Sequence, residues 1–194
     1  MTQNCCVVNH QEQMIAQPSP LTKVDEPVEI NKNSDLSNLS QIIDAVCSQS
    51  GLTNIVLIDH SSIIEENDWK QTEKDIIKEL EGIQPETLLS FKLVNKNPIS
   101  LKHIEKLSTQ YEILSDKKLD SIFNYGGWDE YYKKYPSHPV ITQFTNIGVN
   151  KSQTQALIGV GLSASIKAAD GRYYLLEFKD QKWFVRDMYL SKSI

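Results

Sequence analysis

The sequence predicts an α+β fold in which a C-terminal four-stranded antiparallel sheet packs against amphipathic helices. In the last third of the chain, four segments of strand-like composition follow one another with short connections, which is typical of antiparallel sheets. Upstream of them, apolar residues recur at helical spacing in several segments. The four predicted strands are about Ile141–Val149, Thr154–Leu162, Arg172–Phe178 and Trp183–Leu190.

Two of these strands show the alternation expected where one face of a sheet packs on a core. The alternating residues are Ala156, Ile158, Val160 and Leu162 in one strand and Tyr174, Leu176 and Phe178 in the next. The connection from Lys179 to Lys182 is short enough for a hairpin. Asn54–Ile58 is a candidate fifth strand because it is short and rich in β-branched residues, and Tyr111–Leu114 is a further short candidate.

Helices are predicted where apolar residues fall on one face and a turn residue ends the pattern. Pro85 suits the first position of one of them, and Ser115 can cap another. The predicted helices before the sheet are Asp35–Gln49, Asp68–Leu80, Pro85–Asn95 and a short helix between Ser115 and Gly126.

An aromatic helix directly precedes the sheet. Trp128, Tyr131, Tyr132 and Tyr135 recur at offsets 0, 3, 4 and 7, which puts them on one side of a helix that Pro136 ends. One face of the sheet has to be covered, and this helix is the nearest element that can cover it. We therefore expect Trp128 to be buried between the helix and the sheet.

Length and composition indicate one domain with a tail. Residues 1–33 are rich in Gln, Asn and Pro without any period, which predicts a disordered N-terminal tail, and residues 34–194 are predicted to form a single α+β domain. The net charge is −5 and the chain has only two arginines, which disfavours a nucleic-acid partner. No apolar run is long enough to span a membrane.

The N-terminus shows neither a basic segment nor an apolar one of the signal-peptide type. As written, the chain is expected in the cytoplasm. Secretion or a periplasmic location is expected only if a signal segment has been removed.

The three cysteines, Cys5, Cys6 and Cys47, do not indicate a disulfide framework, because their number is odd and neighbouring cysteines rarely bridge each other. Cys47 is expected to be buried. No CxxC or HxxxH pair is present to hold zinc. Gly159-Val160-Gly161 lies within a strand, whereas a dinucleotide fingerprint needs a turn into a helix. The sequence therefore predicts no metal and no cofactor.

The C-terminal segments, GWDEYYKKYP, IGVN, TQALIGVG, GRYYLLEF and KW, resemble those of a group of uncharacterised bacterial proteins. In that group a helix of Gly-Trp-aromatic-Tyr-Pro type precedes a strand ending in Val-Gly-Phe-Asn, a Gln-Ala-Leu strand, a Tyr-rich strand and a terminal hairpin. VLIDHSS and PETLLSFKLVN extend the likeness upstream, so that it covers about residues 54–194. The resemblance implies the α+β fold and carries no catalytic signature. Thr145-Asn146-Ile147 stands where the group tends to be basic.

An enzymatic hypothesis depends on His60, which follows Asp59 at the end of the Asn54–Ile58 strand. Together with Ser61 or Ser62 it could form a nucleophile–base pair of the hydrolase type. Consecutive side chains of a strand point to opposite faces, however, so we predict that Asp59 and His60 do not pair. No catalytic residue is assigned on this basis.

Aromatic side chains give the leading functional hypothesis, because tyrosine and tryptophan combine an apolar body with a polar tip and suit binding surfaces. We expect a small non-catalytic domain that binds a protein partner or small ligand in a cleft between the aromatic helix and the sheet. The alternatives are a hydrolase-type enzyme with Asp59, His60 and tyrosines in that cleft, and an assembly protein whose tail docks elsewhere. The predicted cleft residues are Trp128, Tyr131, Tyr132, Tyr135, Tyr174 and Trp183.

Overall fold

The computed structural model describes residues 32–104 and 107–191, with side chains from Asn38 onward. The predicted tail, residues 1–33, lies outside the described residues except for its last two, which already belong to a helix. The helices are α1 (Lys32–Gln49), α2 (Glu66–Glu79), α3 (Pro85–Val94) and α4 (Asp116–Lys134). The strands are β1 (Asn54–Ile58), β2 (Gln110–Leu114), β3 (Val140–Phe144), β4 (Gly148–Val149), β5 (Gln155–Ser165), β6 (Ala168–Lys179) and β7 (Lys182–Ser191). None of these helices is long and apolar enough to cross a membrane.

All seven strands of this part of the chain form one mixed sheet in the order β2-β1-β3-β5-β6-β7, with β4 paired to β5. The predicted α+β class is confirmed, and β3, β5, β6 and β7 pair in antiparallel fashion as expected. The candidate strand at 54–58 is also confirmed, but it lies inside the sheet and pairs in parallel with both β2 and β3. The strand predicted at 141–149 is two strands, β3 and β4, because residues 145–147 leave the ladder.

The two faces of the sheet are covered by different helices. The alternating residues of β5, from Ala156 to Leu162, join the hydrophobic cluster beneath α1, which also contains the buried Cys47 as predicted. The opposite face carries two clusters, one beneath α2 and α3 and one beneath α4. The expectation that the aromatic helix covers the alternating face was therefore wrong. Its apolar side packs instead on Val56, Ile58 and Ile141, since β1 brings its own second apolar face into the sheet.

Helix α4 is bent where the sequence predicted a break between two helices. Ser115 caps its first turn by accepting a hydrogen bond from the backbone N–H of Lys118, as expected. Gly127 has a φ of 59° and a ψ of −140°, a conformation that favours glycine, and it redirects the second half of the helix. Tyr131 is the fully buried ring of the stripe, whereas Trp128 is only partly buried. The prediction that Trp128 lies between the helix and the sheet is confirmed in part, since Trp128 packs on the cluster beneath α4 but keeps some exposed surface.

The predicted hairpin between Lys179 and Lys182 is confirmed, and its two turn residues are unusual for their positions. Asp180 and Gln181 have φ values of 51° and 62°. Positive φ at both central residues is the signature of the type I′ turn, in which asparagine followed by glycine is preferred. A side chain such as that of Gln181 is strained there, by about 1–2 kcal/mol.

Replacing Gln181 by glycine is therefore expected to raise the free energy of unfolding by about 0.5–1 kcal/mol, since relief of strain exceeds the added flexibility of the unfolded chain. Urea unfolding of the variant and the wild type measures the change. Lys182→Gly is the matched control: it puts glycine in the strand next to the turn and should lower stability. A Gln181→Gly variant no more stable than the wild type would contradict the assignment of strain to this residue.

Candidate functional site

Three aromatic rings of α4 form a partly exposed group that we call the aromatic patch: Phe123, Trp128 and Tyr132. The ring of Trp128 lies 5.1 Å from that of Phe123 and 5.7 Å from that of Tyr132, measured between ring centroids. Phe123 and Trp128 are half-buried, and 37% of Tyr132 is exposed. Because the patch is held by neighbouring rings on two sides, Trp128 presents a fixed apolar surface to solvent.

Two contacts anchor the aromatic patch to the rest of the fold. The hydroxyl of Tyr132 donates to the backbone carbonyl of Ala164 near the end of β5. Beneath the patch, the ring of Tyr131 lies 5.3 Å from that of Trp128, and its hydroxyl donates to the carbonyl of His138 at 2.7 Å. Burial raises the pKa of Tyr131 far above its usual value, so this hydroxyl keeps its proton. The patch is therefore attached to both the sheet and the loop that follows α4.

The six residues of the predicted cleft do not share one site. Tyr131 and Tyr135, at the C-terminal end of α4, point into the core between this helix and the sheet. Trp128 and Tyr132, on the same helix, lie nearer to the protein surface. Tyr174 and Trp183 belong to the cluster beneath α1, on the opposite face of the sheet. The prediction of one cleft that holds all six residues was wrong, because the sheet separates the two groups. Strand alternation shows which residues share a face, but it does not tell which helix covers that face.

The carboxyl ends of the parallel strands place His60 beside α4. Its Nε2 lies 2.7 Å from a carboxylate oxygen of Asp116, and its Nδ1 lies 3.0 Å from the carbonyl oxygen of Ser61. Both partners can only accept hydrogen bonds, so the ring satisfies both only when both nitrogens carry protons. The Ser61 carbonyl and then Asp116 raise the pKa of His60 above its usual value. His60 therefore links the end of β1 to the first turn of α4, and this link favours the protonated ring.

As predicted, Asp59 and His60 do not pair. The side chain of Asp59 is largely buried and lies 3.2 Å from the ammonium group of Lys102. The hydroxyl of Ser61 donates to the side-chain oxygen of Asn146 at 2.6 Å and accepts the backbone N–H of Ile99 at 2.9 Å. Both ring nitrogens of His60 and the hydroxyl of Ser61 are thus engaged elsewhere, and this geometry does not resemble a nucleophile–base pair.

The His60 link predicts a pH-dependent stability. Because the pKa of His60 is raised in the folded protein, the link contributes fully below the unfolded value of about 6.5 and is lost as the pH rises through the higher folded value. NMR titration of the His60 ring should give a pKa above 6.5. His60→Gln should flatten the pH dependence of the unfolding midpoint above about pH 6. Identical pH profiles for the variant and the wild type would contradict this role.

Sequence reasoning missed Asn146, which organises a buried polar network between β3, β4 and the end of α3. Its side-chain nitrogen donates to the carbonyls of Val94 and Asn97 at 2.5 and 2.7 Å. Its backbone N–H donates to the side-chain oxygen of Asn95 at 2.8 Å. Only 3% of Asn146 is exposed. A lone asparagine between two apolar runs was the only signal in the sequence, and its partners are not marked there.

Potential metal ligands do not converge within the described residues. No group of three or more His, Cys, Asp or Glu side chains is close enough to hold a metal ion there. The polar groups at the carboxyl ends of β1 and β3 instead bond to one another and to the backbone. Of the surfaces considered from the sequence, the aromatic patch is the one that leaves side chains open to a partner.

Comparisons with known proteins give little support for any assignment. No protein-family model matches the chain, and no curated protein does. Among solved structures, the intermembrane space region of the chloroplast protein ARC6 is similar over 32% of this chain and 65% of that chain, less than two thirds of its length. The identity is 12% and the TM-score is 0.19, so this likeness carries no argument. The resemblance to uncharacterised bacterial proteins stays a prediction.

Proposed function

We propose that this chain is a non-catalytic interaction domain that contacts a protein partner through the aromatic patch. The observation that carries the proposal is the half-buried Trp128, held between Phe123 and Tyr132. Tryptophan and tyrosine are enriched among the residues that dominate binding energy at protein interfaces, because they bury a large area at a low cost in side-chain entropy. A tryptophan that is already fixed by its neighbours loses little further freedom when a partner covers it.

The position of the aromatic patch supports this role. Ring packing fixes the patch from below through Tyr131, and the Tyr132–Ala164 bond fixes it from the side. A rigid apolar surface of this kind suits an interface core better than it suits catalysis, since it offers neither an acid–base pair nor a nucleophile. The hydrolase alternative has less support, because the ring of His60 is committed to Ser61 and Asp116.

The test uses the full chain as bait in an extract of its source cells, followed by affinity measurement with the purified partner. Trp128→Ala should weaken the binding of that partner by about 30-fold, the loss of about 2 kcal/mol expected at a dominant interface residue. Tyr132→Ala should weaken it to a smaller extent.

Ile77→Ala is the matched control, because Ile77 is 57% exposed and lies on α2, away from the patch. The control should bind as the wild type does. Circular dichroism of each variant establishes that the fold is intact. A partner that binds Trp128→Ala as tightly as the wild type, or an extract that yields no partner sensitive to Trp128, would contradict the proposed interface.

A further inference from the structure

The face of the sheet beneath α1 is not covered along its whole length. Helix α1 ends at Gln49, and Ser50 marks its end over the sheet, where its hydroxyl lies 2.7 Å from that of Tyr174. Beyond this point β5 and β6 continue to their turn at Ser165 and Ala168. A groove of about 280 Å³ lies on this continuation of the sheet.

The groove combines apolar walls with one ion pair. Its walls include Leu52, Val140, Leu162 and Ala164. On β6, the side chains that follow Tyr174 toward the turn on the same face are Arg172 and Asp170, which also line the groove. A ligand in the groove would therefore contact hydrocarbon on one side and two opposite charges on the other.

The ion pair keeps free hydrogen-bonding capacity on both partners. Arg172 donates from Nε to one oxygen of Asp170 at 3.2 Å and from a terminal nitrogen to the other oxygen at 2.8 Å, and it also interacts with the hydroxyl of Tyr174. A guanidinium group has five N–H donors, and each carboxylate oxygen accepts more than one hydrogen bond. The side chains of Arg172 and Asp170 are 26% and 37% exposed, so added partners can approach both.

Charge balance decides between the ligands that such a groove could take. A simple carboxylate would be attracted by Arg172 but repelled by Asp170. A simple amine would be attracted by Asp170 but repelled by Arg172. A zwitterion places its carboxylate on Arg172 and its ammonium group on Asp170, so that each charge gains a partner. The apolar walls then favour a hydrocarbon side chain on the same molecule.

We propose that the groove between the end of α1 and the β5–β6 turn binds a free aliphatic α-amino acid. The size of the groove agrees with a ligand of this class, since sites for larger drug-sized molecules span about 300–1,000 Å³. Peptide termini fit less well, because each end of a peptide carries only one of the two charges. Asp170 and Arg172 lie on the face of the sheet opposite to α4. The groove meets the aromatic patch at Ala164, whose backbone carbonyl accepts the hydroxyl of Tyr132, so the charged residues rather than Ala164 distinguish the two sites.

The test titrates the full chain with L-leucine and follows backbone amide resonances by NMR. Two probes with the same branched end each lack one charge: isovalerate, which is one carbon shorter than leucine without its ammonium group, has only the carboxylate, and isoamylamine has only the ammonium group. L-leucine should shift resonances of the groove with an affinity at least about tenfold better than either probe, as expected when a second charged contact contributes about 1.4 kcal/mol.

Substitutions in the Asp170–Arg172 ion pair should change the affinities of the three probes in different directions. Asp170→Asn should weaken L-leucine by about tenfold but strengthen isovalerate, because it frees Arg172 from its internal carboxylate. Arg172→Gln should weaken L-leucine and isovalerate and leave isoamylamine no weaker. Ala164→Leu fills the groove, leaves the ion pair intact and should weaken all three probes. The unfolding midpoint of each variant establishes that the fold is retained.

Several results would overturn the proposal. One is an absence of shifts in the groove at about 10 mM L-leucine, a concentration that detects dissociation constants in the millimolar range. Another is equal affinity for L-leucine and isovalerate in the wild type. A third is an Asp170→Asn variant in which the affinities for L-leucine and isovalerate change in the same direction. In that case Asp170 and Arg172 would not each bind one charge of the amino acid.

Discussion

Replacing Asn146 by aspartate is expected to lower the free energy of unfolding by about 4 kcal/mol, a large part of the roughly 5–15 kcal/mol that is usual for a folded domain. The substitution keeps the size of the side chain but removes the N–H donors that serve the carbonyls of Val94 and Asn97. Each carbonyl left without a donor costs up to about 1–3 kcal/mol, with the larger cost expected at the half-buried Val94 rather than at the exposed Asn97. In addition, a carboxylate would face two carbonyl oxygens at hydrogen-bond distance, which adds repulsion.

The pH dependence of this variant identifies the cause of its instability. A buried aspartate that faces carbonyl oxygens has a raised pKa in the folded state. Its protonated form fits the site best, so the stability gap between the Asn146→Asp variant and the wild type should be smallest near pH 4 and should widen as the pH rises. Urea unfolding at several pH values measures this gap.

Asn97→Asp is the matched control for Asn146→Asp. Asn97 is exposed and contributes its backbone carbonyl, not its side chain, to the network. The same chemical change there should alter stability by no more than about 0.5 kcal/mol. If both variants unfolded at the urea concentration of the wild type, the network around Asn146 would not be a source of stability.

Local patterns explain which parts of the fold could be predicted. The alternation from Ala156 to Leu162 and the apolar run at Asn54–Ile58 identify strands, because a strand pattern can be recognised within a few consecutive residues. Pro85 and Ser115 likewise mark the starts of helices that the structure contains. These features need only a few adjacent residues to be recognised.

The arrangement of the elements could not be predicted, because it depends on contacts between distant segments. Nothing in Asn54–Ile58 indicates that this strand pairs with both β2 and β3, although its apolar character on both faces agrees with a place inside the sheet. The aromatic stripe was found from its spacing, but that spacing does not tell that Tyr131 is fully buried and Trp128 only partly so, which depends on where the helix lies over β1 and β3.

In the candidate site, too, residues marked by a local pattern were predicted and residues placed by distant contacts were not. Trp128 and Tyr132 were identified from the sequence because aromatic residues at helical spacing stand out. Asn146 was not, since its partner Ser61 lies 85 positions away and asparagine has no spacing rule that marks a buried network. The groove beneath the end of α1 was also missed, because it depends on where a helix stops over a sheet.

Gly148→Ala is expected to destabilise the protein by about 3 kcal/mol or more, because β4 runs directly against the backbone of α3. A methyl group on Gly148 would lie 2.3 Å from both the backbone nitrogen and the Cα of Phe91, and 2.4 Å from its Cβ. Overpacking of a core costs about 1–3 kcal/mol even where side chains can move, and here the obstructing atoms belong to a helix backbone. Phe91→Ala in the same chain should therefore give no rescue.

Gly159→Ala provides a contrast in which rescue is expected. There the nearest atom is a methyl carbon of Thr145, at 2.7 Å from the added Cβ. Thr145→Ser removes that methyl group and keeps the hydroxyl that accepts the N–H of residue 159. The double variant should recover about 1 kcal/mol relative to the sum of the two single changes. A comparable recovery for Gly148→Ala with Phe91→Ala would show that the aromatic side chain, and not the backbone of α3, limits the approach of β4.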